Sequence, residues 1–276
     1  MPKAARRPFA GEPGSRGGAR PRDIRLDALR GAFVVLMVVY HAAYIGVQTG
    51  LWTLRLYEGF WWLFPRFIAA GFLAISGWSM ALAAPLAPGS ALRATARRAA
   101  RRSARLALPA AAISAVSYLL YGPESFVAFG VLHCLAASAP LLAPLLGRPV
   151  AALAAGALAL GAGLAVGGLR FDFFWGFWLG LRPAGYYPVD YLPLLPWLAW
   201  PAFGVAARGF RARLSSGGAR GRAFGRPVAG GAAEAAARRP NPAAAALAFL
   251  GRRALVVYLA HLPALYGLAL LIRSLS

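Results

Sequence analysis

Long apolar segments separated by charged or turn-forming residues dominate the pattern of the chain. A helix needs about 20 mostly apolar residues to cross the hydrocarbon core of a bilayer. Seven segments come near that length and are predicted as transmembrane helices: residues 31–48, 61–83, 106–121, 126–146, 150–169, 191–207 and 254–272. The apolar segment 171–181 is too short to cross and is predicted as an interfacial or re-entrant helix. The pattern predicts an all-α, polytopic membrane bundle of about seven helices.

The charge distribution gives this bundle an orientation. Of 276 residues, 59% are hydrophobic and only 14% are charged, yet the net charge is +22. The N-terminal segment and alternate connections of the predicted bundle hold 25 of the 30 lysines and arginines, which by the positive-inside rule places the N-terminus in the cytoplasm. We expect an integral protein of a bacterial inner membrane. Nucleic-acid binding is not expected, because no folded reader module accompanies the basic segments.

The division of the chain follows the same composition. Residues 1–23 are predicted to be a basic, disordered cytoplasmic tail, and residues 24–276 a transmembrane domain. Within that domain, residues 208–245 are rich in Gly, Ala and Arg and are predicted to be a flexible basic loop. Cys134 is the only cysteine, which excludes an intrachain disulfide.

All three histidines of the chain fall within predicted spans, at His41, His133 and His261. Ionisable residues inside a membrane are costly, so each is a candidate for function. An imidazole with a pKa near neutrality can act as general base, general acid or nucleophile. Three histidines can also ligate zinc, but no HxxxH pair or intramembrane carboxylate accompanies them, and no metal is expected.

Further polar residues share a face with two of these histidines. At 100° per residue, Arg30 and His41 lie on one face of the first span. Asp27 is placed to pair with Arg30 across a helical turn, although both residues also suit an interfacial anchor. In the last span, Tyr258 precedes His261 by about one turn. These residues predict a site between the first, fourth and seventh spans.

Several short motifs resemble those of the heparan-alpha-glucosaminide N-acetyltransferase catalytic-domain family, which is similar to a wider set of membrane acyltransferases. They occur in family order: LDALRG at 26–31, MVVYH at 37–41, FLAISG at 72–77, FGVLH at 129–133, DYLPLLPW at 190–197, and LGR at 250–252 followed by YLAHLP at 258–263. Each motif is weak alone, but their shared order makes the resemblance fairly specific.

The resemblance implies transfer of an acyl group, typically acetyl, from cytosolic acyl-CoA to an amino or hydroxyl group of a sugar or glycan across the membrane. The catalytic candidates are His41, His133 and His261, and which of them is essential is left open. The binding candidates are Asp27, Arg30, Asp190, Trp197, Arg252 and Tyr258. Arginines at the cytoplasmic mouth suit CoA phosphates, because a guanidinium binds phosphate bidentately.

Other functions are compatible with the same residues. A proton-coupled transporter or flippase would use the histidines as a proton relay, although the internal repeat common in such proteins is not evident. The aromatic residues near Asp190 suit either a sugar site or an interfacial anchoring belt. The expected partners are the bilayer, acyl-CoA and a sugar or glycan, and a homo-oligomer is compatible with the sequence.

Overall fold

A computed structural model describes residues 23–84, 91–221 and 241–275. Within these ranges the protein is a bundle of α-helices without β-strands. The helices are α1 (Ile24–Gln48), α2 (Gly59–Ala83), α3 (Ala91–Tyr121), α4 (Val131–Leu142), α5 (Pro149–Val166), α6 (Leu194–Trp197), α7 (Ala199–Gly221), α8 (Pro242–Arg252) and α9 (Ala254–Leu275). A single 3₁₀ turn, Ala143–Leu145, follows α4.

Five of the described helices are long and apolar enough to cross a membrane: α1, α2, the Arg93–Tyr121 part of α3, α5 and α9. The helical membrane bundle is thereby confirmed, whereas the count of seven spans stays a prediction. The predicted fourth span begins as a helix only at Val131, and its apolar helix ends at Leu145. The predicted sixth span is divided between α6 and α7.

Two basic segments are more helical than their composition suggested. The arginines between the second and third predicted spans lie on the first half of α3, and α7 continues to Gly221. Alanine and arginine are strong helix formers, which accounts for the helical start of α3. Together with α8, which begins at Pro242, the continuation of α7 to Gly221 reduces the basic loop predicted at 208–245. Residues 1–22 of the predicted tail and 222–240 of that loop lie outside the described residues.

Two helix crossings depend on glycine. On α1 and α8, a β-carbon at Gly31 would overlap the carbonyl oxygen of Leu247, and one at Gly251 would overlap that of Asp27. Small residues allow backbones to approach closely in membrane helices. The first crossing fixes the segment of α1 that carries Asp27 and Arg30.

The α2–α7 crossing has the same reciprocal form. A β-carbon at Gly77 would overlap the carbonyl oxygen of Pro201, and one at Gly204 would overlap that of Ala74. This second crossing holds the C-terminal part of α2 against α7.

The arginine-bearing ends of α1, α3 and α7 lie around the C-terminal end of α2, and we call this the basic end of the bundle. Two side chains join its helices: Arg98 donates to the carbonyl oxygen of Ala83, and Arg102 donates to the Ser76 hydroxyl. The charge pattern predicts that this end is cytoplasmic, and that orientation stays a prediction.

The opposite end is covered by residues 167–193, which form turns. The segment 171–181, predicted as an interfacial helix, is not helical in the structure. Its backbone is held by tertiary hydrogen bonds, with the Tyr191 hydroxyl donating to the carbonyl oxygen of Phe177. Residues 187–192 run beside 124–129, and Leu192 N–H donates to the carbonyl oxygen of Phe129. The pairing and the local turns at 123–129 leave this segment non-helical, and α4 therefore begins only at Val131.

Candidate functional site

Two of the three histidines are neighbours in the interior of the bundle. The imidazoles of His41 on α1 and His261 on α9 have centroids 4.7 Å apart, with the rings at 75° to each other. His261 is 6% exposed. The ring of Tyr258, one turn earlier on α9, lies 5.7 Å from that of His261. Packing of α9 on α1 creates this pair from residues 220 positions apart in the chain.

The backbone fixes the tautomer of each imidazole. His41 Nδ1 lies 2.9 Å from the carbonyl oxygen of Met37, and His261 Nδ1 lies 2.6 Å from that of Tyr258. A carbonyl oxygen only accepts, so each Nδ1 carries the hydrogen and each neutral ring has its lone pair on Nε2. His261 Nε2 is buried and has no hydrogen-bond partner among the described residues. The pair therefore presents an unengaged basic nitrogen inside the bundle.

His133 has a different environment, near the start of α4. The Gly130 N–H donates to His133 Nδ1 over 3.2 Å, so the hydrogen of the neutral ring is on Nε2. Nε2 lies 3.2 Å from the Ser114 hydroxyl oxygen, which donates its own hydrogen to the carbonyl oxygen of Val127. Both nitrogens are therefore engaged, and the ring ties α3 to the N-terminus of α4. This geometry favours a positioning role.

Asp190 lies at the start of α4, the helix that carries His133. Its Oδ2 accepts from the Val131 N–H over 3.4 Å, at the N-terminus of α4. Tyr258 is within electrostatic range of the carboxylate. Burial raises the pKa of the Asp190 carboxyl to about 6, against the opposing effect of the Val131 hydrogen bond. The sequence placed Asp190 and Tyr258 in the site without indicating that α4 and α9 bring them close.

The enclosure of Asp190 makes stability depend on pH. A carboxyl with a raised pKa binds more protons folded than unfolded, so stability falls as pH rises from about 4 to about 6 and then levels. Ionisation of Asp190 is expected to cost about 3 kcal/mol. The Asp190→Asn variant should lose this dependence and melt at a higher temperature than the parent at pH 7.5. Melting curves in detergent between pH 4.5 and 7.5 measure it.

The control for Asp190→Asn is Asp172→Asn, which changes an exposed carboxylate of the same covering segment. It should leave the pH dependence of the melting temperature unaltered. An Asp190→Asn protein with the parent's dependence would contradict the enclosure of the carboxyl group.

Two arginines converge on one turn of α2 toward the basic end. Arg30 donates to Asp27 Oδ1 and to the Ser79 hydroxyl, both over 2.9 Å. Arg102 donates to the Ser76 hydroxyl over 2.7 Å, and its buried Nε has no partner among the described residues. One carboxylate thus faces two guanidinium groups, which suits an anion. The sequence predicted Arg30 and Asp27 but not Arg102, whose helix seemed to be a loop.

The remaining predicted residues lie apart from these clusters. Arg252, at the C-terminal end of α8, is exposed. Trp197 in α6 packs against the apolar cluster that includes Phe129 and Leu132. Among the described residues, no group of three His, Cys, Asp or Glu side chains is placed to hold a metal ion.

The fold and site define a class of protein: a polytopic helical membrane protein with a buried imidazole pair and a cationic cluster toward its basic end. The family model described as "Heparan-alpha-glucosaminide N-acetyltransferase, catalytic" matches residues 22–263. The chain belongs to this family, which confirms the resemblance seen in its motifs and indicates a membrane acetyltransferase. Neither the curated proteins nor the solved structures contain a significant match.

Proposed function

We propose that the protein transfers an acetyl group from acetyl-CoA, bound from the basic end, to an amino or hydroxyl group of a sugar or glycan that approaches from the opposite end. The imidazole pair carries this proposal. His41 and His261 each have Nδ1 bonded to their own helix, which leaves Nε2 available as a base or acyl acceptor. The basic end is assigned to the cytoplasm by the positive-inside rule.

The position of the arginines supports entry of the donor from this end. Arg30 and His41 are eleven residues apart on α1, which is about three turns and about 16 Å along one face. An extended pantetheine arm spans such a distance between the CoA phosphates and the thioester. In this proposal Arg30 and Arg102 neutralise the phosphates near α2, and exposed Arg252 adds to the potential that attracts them.

The reaction needs a general base and a binding position for the sugar nitrogen or oxygen that receives the acetyl group. The acceptor nitrogen or oxygen attacks the thioester carbonyl, the C–S bond breaks, and the thiolate leaves. Nε2 of His261 or His41 takes the proton of the attacking group and returns it to the thiolate. In the two-step alternative, Nε2 itself attacks the thioester carbonyl, the C–S bond breaks and the thiolate leaves. The acyl-imidazolium, which keeps its Nδ1 hydrogen, then passes the acetyl group to the acceptor nitrogen or oxygen, whose proton goes to the thiolate.

The opposite end contributes the acceptor side of the proposal. Tyr258 lies beside His261, and Asp190 lies within electrostatic range of Tyr258, so the two provide a phenol and a carboxylate for hydroxyl groups of a sugar. His133 is a positioning residue here, because its two nitrogens hold the start of α4 beside Asp190. Trp197 supports the same wall from within the apolar cluster.

The test uses the purified full chain in proteoliposomes with acetyl-CoA labelled in the acetyl group. Candidate amino sugars such as glucosamine are supplied as acceptors, and labelled product and free CoA thiol are quantified together. We expect equal amounts of product and thiol. Proton-coupled uptake of a sugar without thiol release would contradict the proposal and favour the transporter that the sequence also allows.

A further inference from the structure

A groove opens at the basic end between the start of α1, the end of α2 and the second half of α7. Its volume is about 480 Å³, within the range of about 300–1,000 Å³ that is usual for small-molecule sites. It is lined by Asp23, Trp78, Leu82, Arg208, Arg211 and Ser215, together with Ala212. None of the groove's aromatic or basic residues was among the predicted site residues.

The lining combines an aromatic surface with two cations. The guanidinium carbon of Arg211 lies 5.8 Å from the centroid of the Trp78 ring. Neither Arg208 nor Arg211 forms an ion pair with a carboxylate in the described part of the chain. The Asp23 carboxylate caps α1, accepting from the N–H groups of Arg25 and Leu26. An indole beside two available guanidiniums suits a planar base carrying phosphate groups.

The groove adjoins the path proposed for the donor. Trp78 lies in it, and the next residue, Ser79, accepts the hydrogen bond of Arg30. From Arg30 the same face of α1 leads to His41. The groove therefore adjoins the cluster of Arg30 and Arg102 that the proposed function assigns to the CoA phosphates.

We propose that this groove binds the adenine nucleotide portion of the CoA donor, with Trp78 stacking on the adenine and Arg208 and Arg211 contacting its phosphates. The inference rests on the proposed acetyl transfer and adds to it a residue-level site for the part of the donor that does not react. Binding energy from this non-reacting part then holds the thioester near the imidazoles.

Comparing two acetyl donors distinguishes nucleotide binding in the groove from acetyl transfer itself. Acetyl-CoA carries the adenine nucleotide, whereas S-acetyl-pantetheine carries the same thioester without it. For Trp78→Ala and Arg211→Gln we expect kcat/KM with acetyl-CoA to fall about tenfold or more, as base stacking and charged hydrogen bonds contribute. The same variants should retain the parent's kcat/KM with S-acetyl-pantetheine within about twofold. This donor has no nucleotide, and the variants lose only contacts to the nucleotide.

The controls match charge and residue type. Arg97→Gln removes one exposed cation from the basic end outside the groove, and Trp175→Ala removes an exposed indole from the segment that covers the opposite end. Both control variants should have the parent's kcat/KM with acetyl-CoA and with S-acetyl-pantetheine. Equal losses with both donors in the groove variants, or no loss with either, would overturn the inference. Equal losses that depend on anionic lipid would instead identify the groove as a headgroup site.

Direct binding distinguishes failure of this inference from failure of the proposed function. Adenosine 3′,5′-bisphosphate contains the nucleotide of CoA and no thioester, so its binding does not require acetyl transfer. Calorimetry with the purified chain should detect binding that Trp78→Ala weakens about tenfold or more. If the parent transfers acetyl from neither donor yet binds this nucleotide through Trp78, the nucleotide-binding site in the groove is supported and the proposed reaction is wrong. Absence of binding would contradict the inference that the groove binds the nucleotide.

Discussion

Replacing His261 by alanine is expected to lower kcat for acetyl transfer by about 10²–10⁴-fold, the range that a positioned acid–base side chain contributes. The reason is that Nε2 of this buried imidazole has no other partner among the described residues. His41→Ala should have an effect of similar size, because the two rings are in contact. Initial rates with saturating acetyl-CoA measure both.

The double variant of the imidazole pair is the sharper measurement. If His41 and His261 act as one unit, losing both costs little more than losing either, as for other residues that act together. Leu262→Ala, at the exposed neighbour of His261, is the matched control and should keep the parent's kcat. Retention of more than a tenth of the parent's kcat by His261→Ala, in protein that elutes and melts as the parent does, would contradict the proposed role.

Gly31→Ala and Gly204→Ala are each expected to destabilise the protein by about 3 kcal/mol, near the upper end of the usual cost of overpacking. In both variants the new β-carbon meets a backbone carbonyl oxygen of the facing helix, which cannot rotate away as a side chain can. The helices must then move apart. We expect a lower melting temperature in detergent and a smaller monodisperse fraction.

Gly161→Ala is the matched control for these glycine variants. A β-carbon at Gly161 on α5 meets no atom within 4 Å, so the substitution should be neutral or stabilise the helix by up to about 1 kcal/mol. Gly31→Ala should also reduce acetyl transfer, because the α1–α8 crossing holds the segment with Asp27 and Arg30. A Gly31→Ala protein as stable as Gly161→Ala would contradict the close helix crossing.

The sequence by itself determined the class of protein and much of its layout. A bilayer selects apolar segments of sufficient length, so the helical membrane bundle could be predicted without tertiary structure. The basic residues between those segments predict an orientation in the same way. The family motifs were equally local, and they identified His41, His261, Asp190 and Tyr258 as candidates. Helix ends were harder to predict, because the non-helical 124–130 segment is paired with residues about 60 positions further along the chain.

The tertiary structure decided which of the candidates act together. His41 and His261 are in contact because α9 packs on α1. Both ring nitrogens of His133 are instead engaged in hydrogen bonds with Gly130 and Ser114. Neither Arg102 nor the groove at Trp78 could be predicted from the sequence, because each depends on contacts with residues of another helix. Burial and charge pattern fix where a helix lies in the membrane; which residues face one another depends on helix rotation and close packing between distant segments.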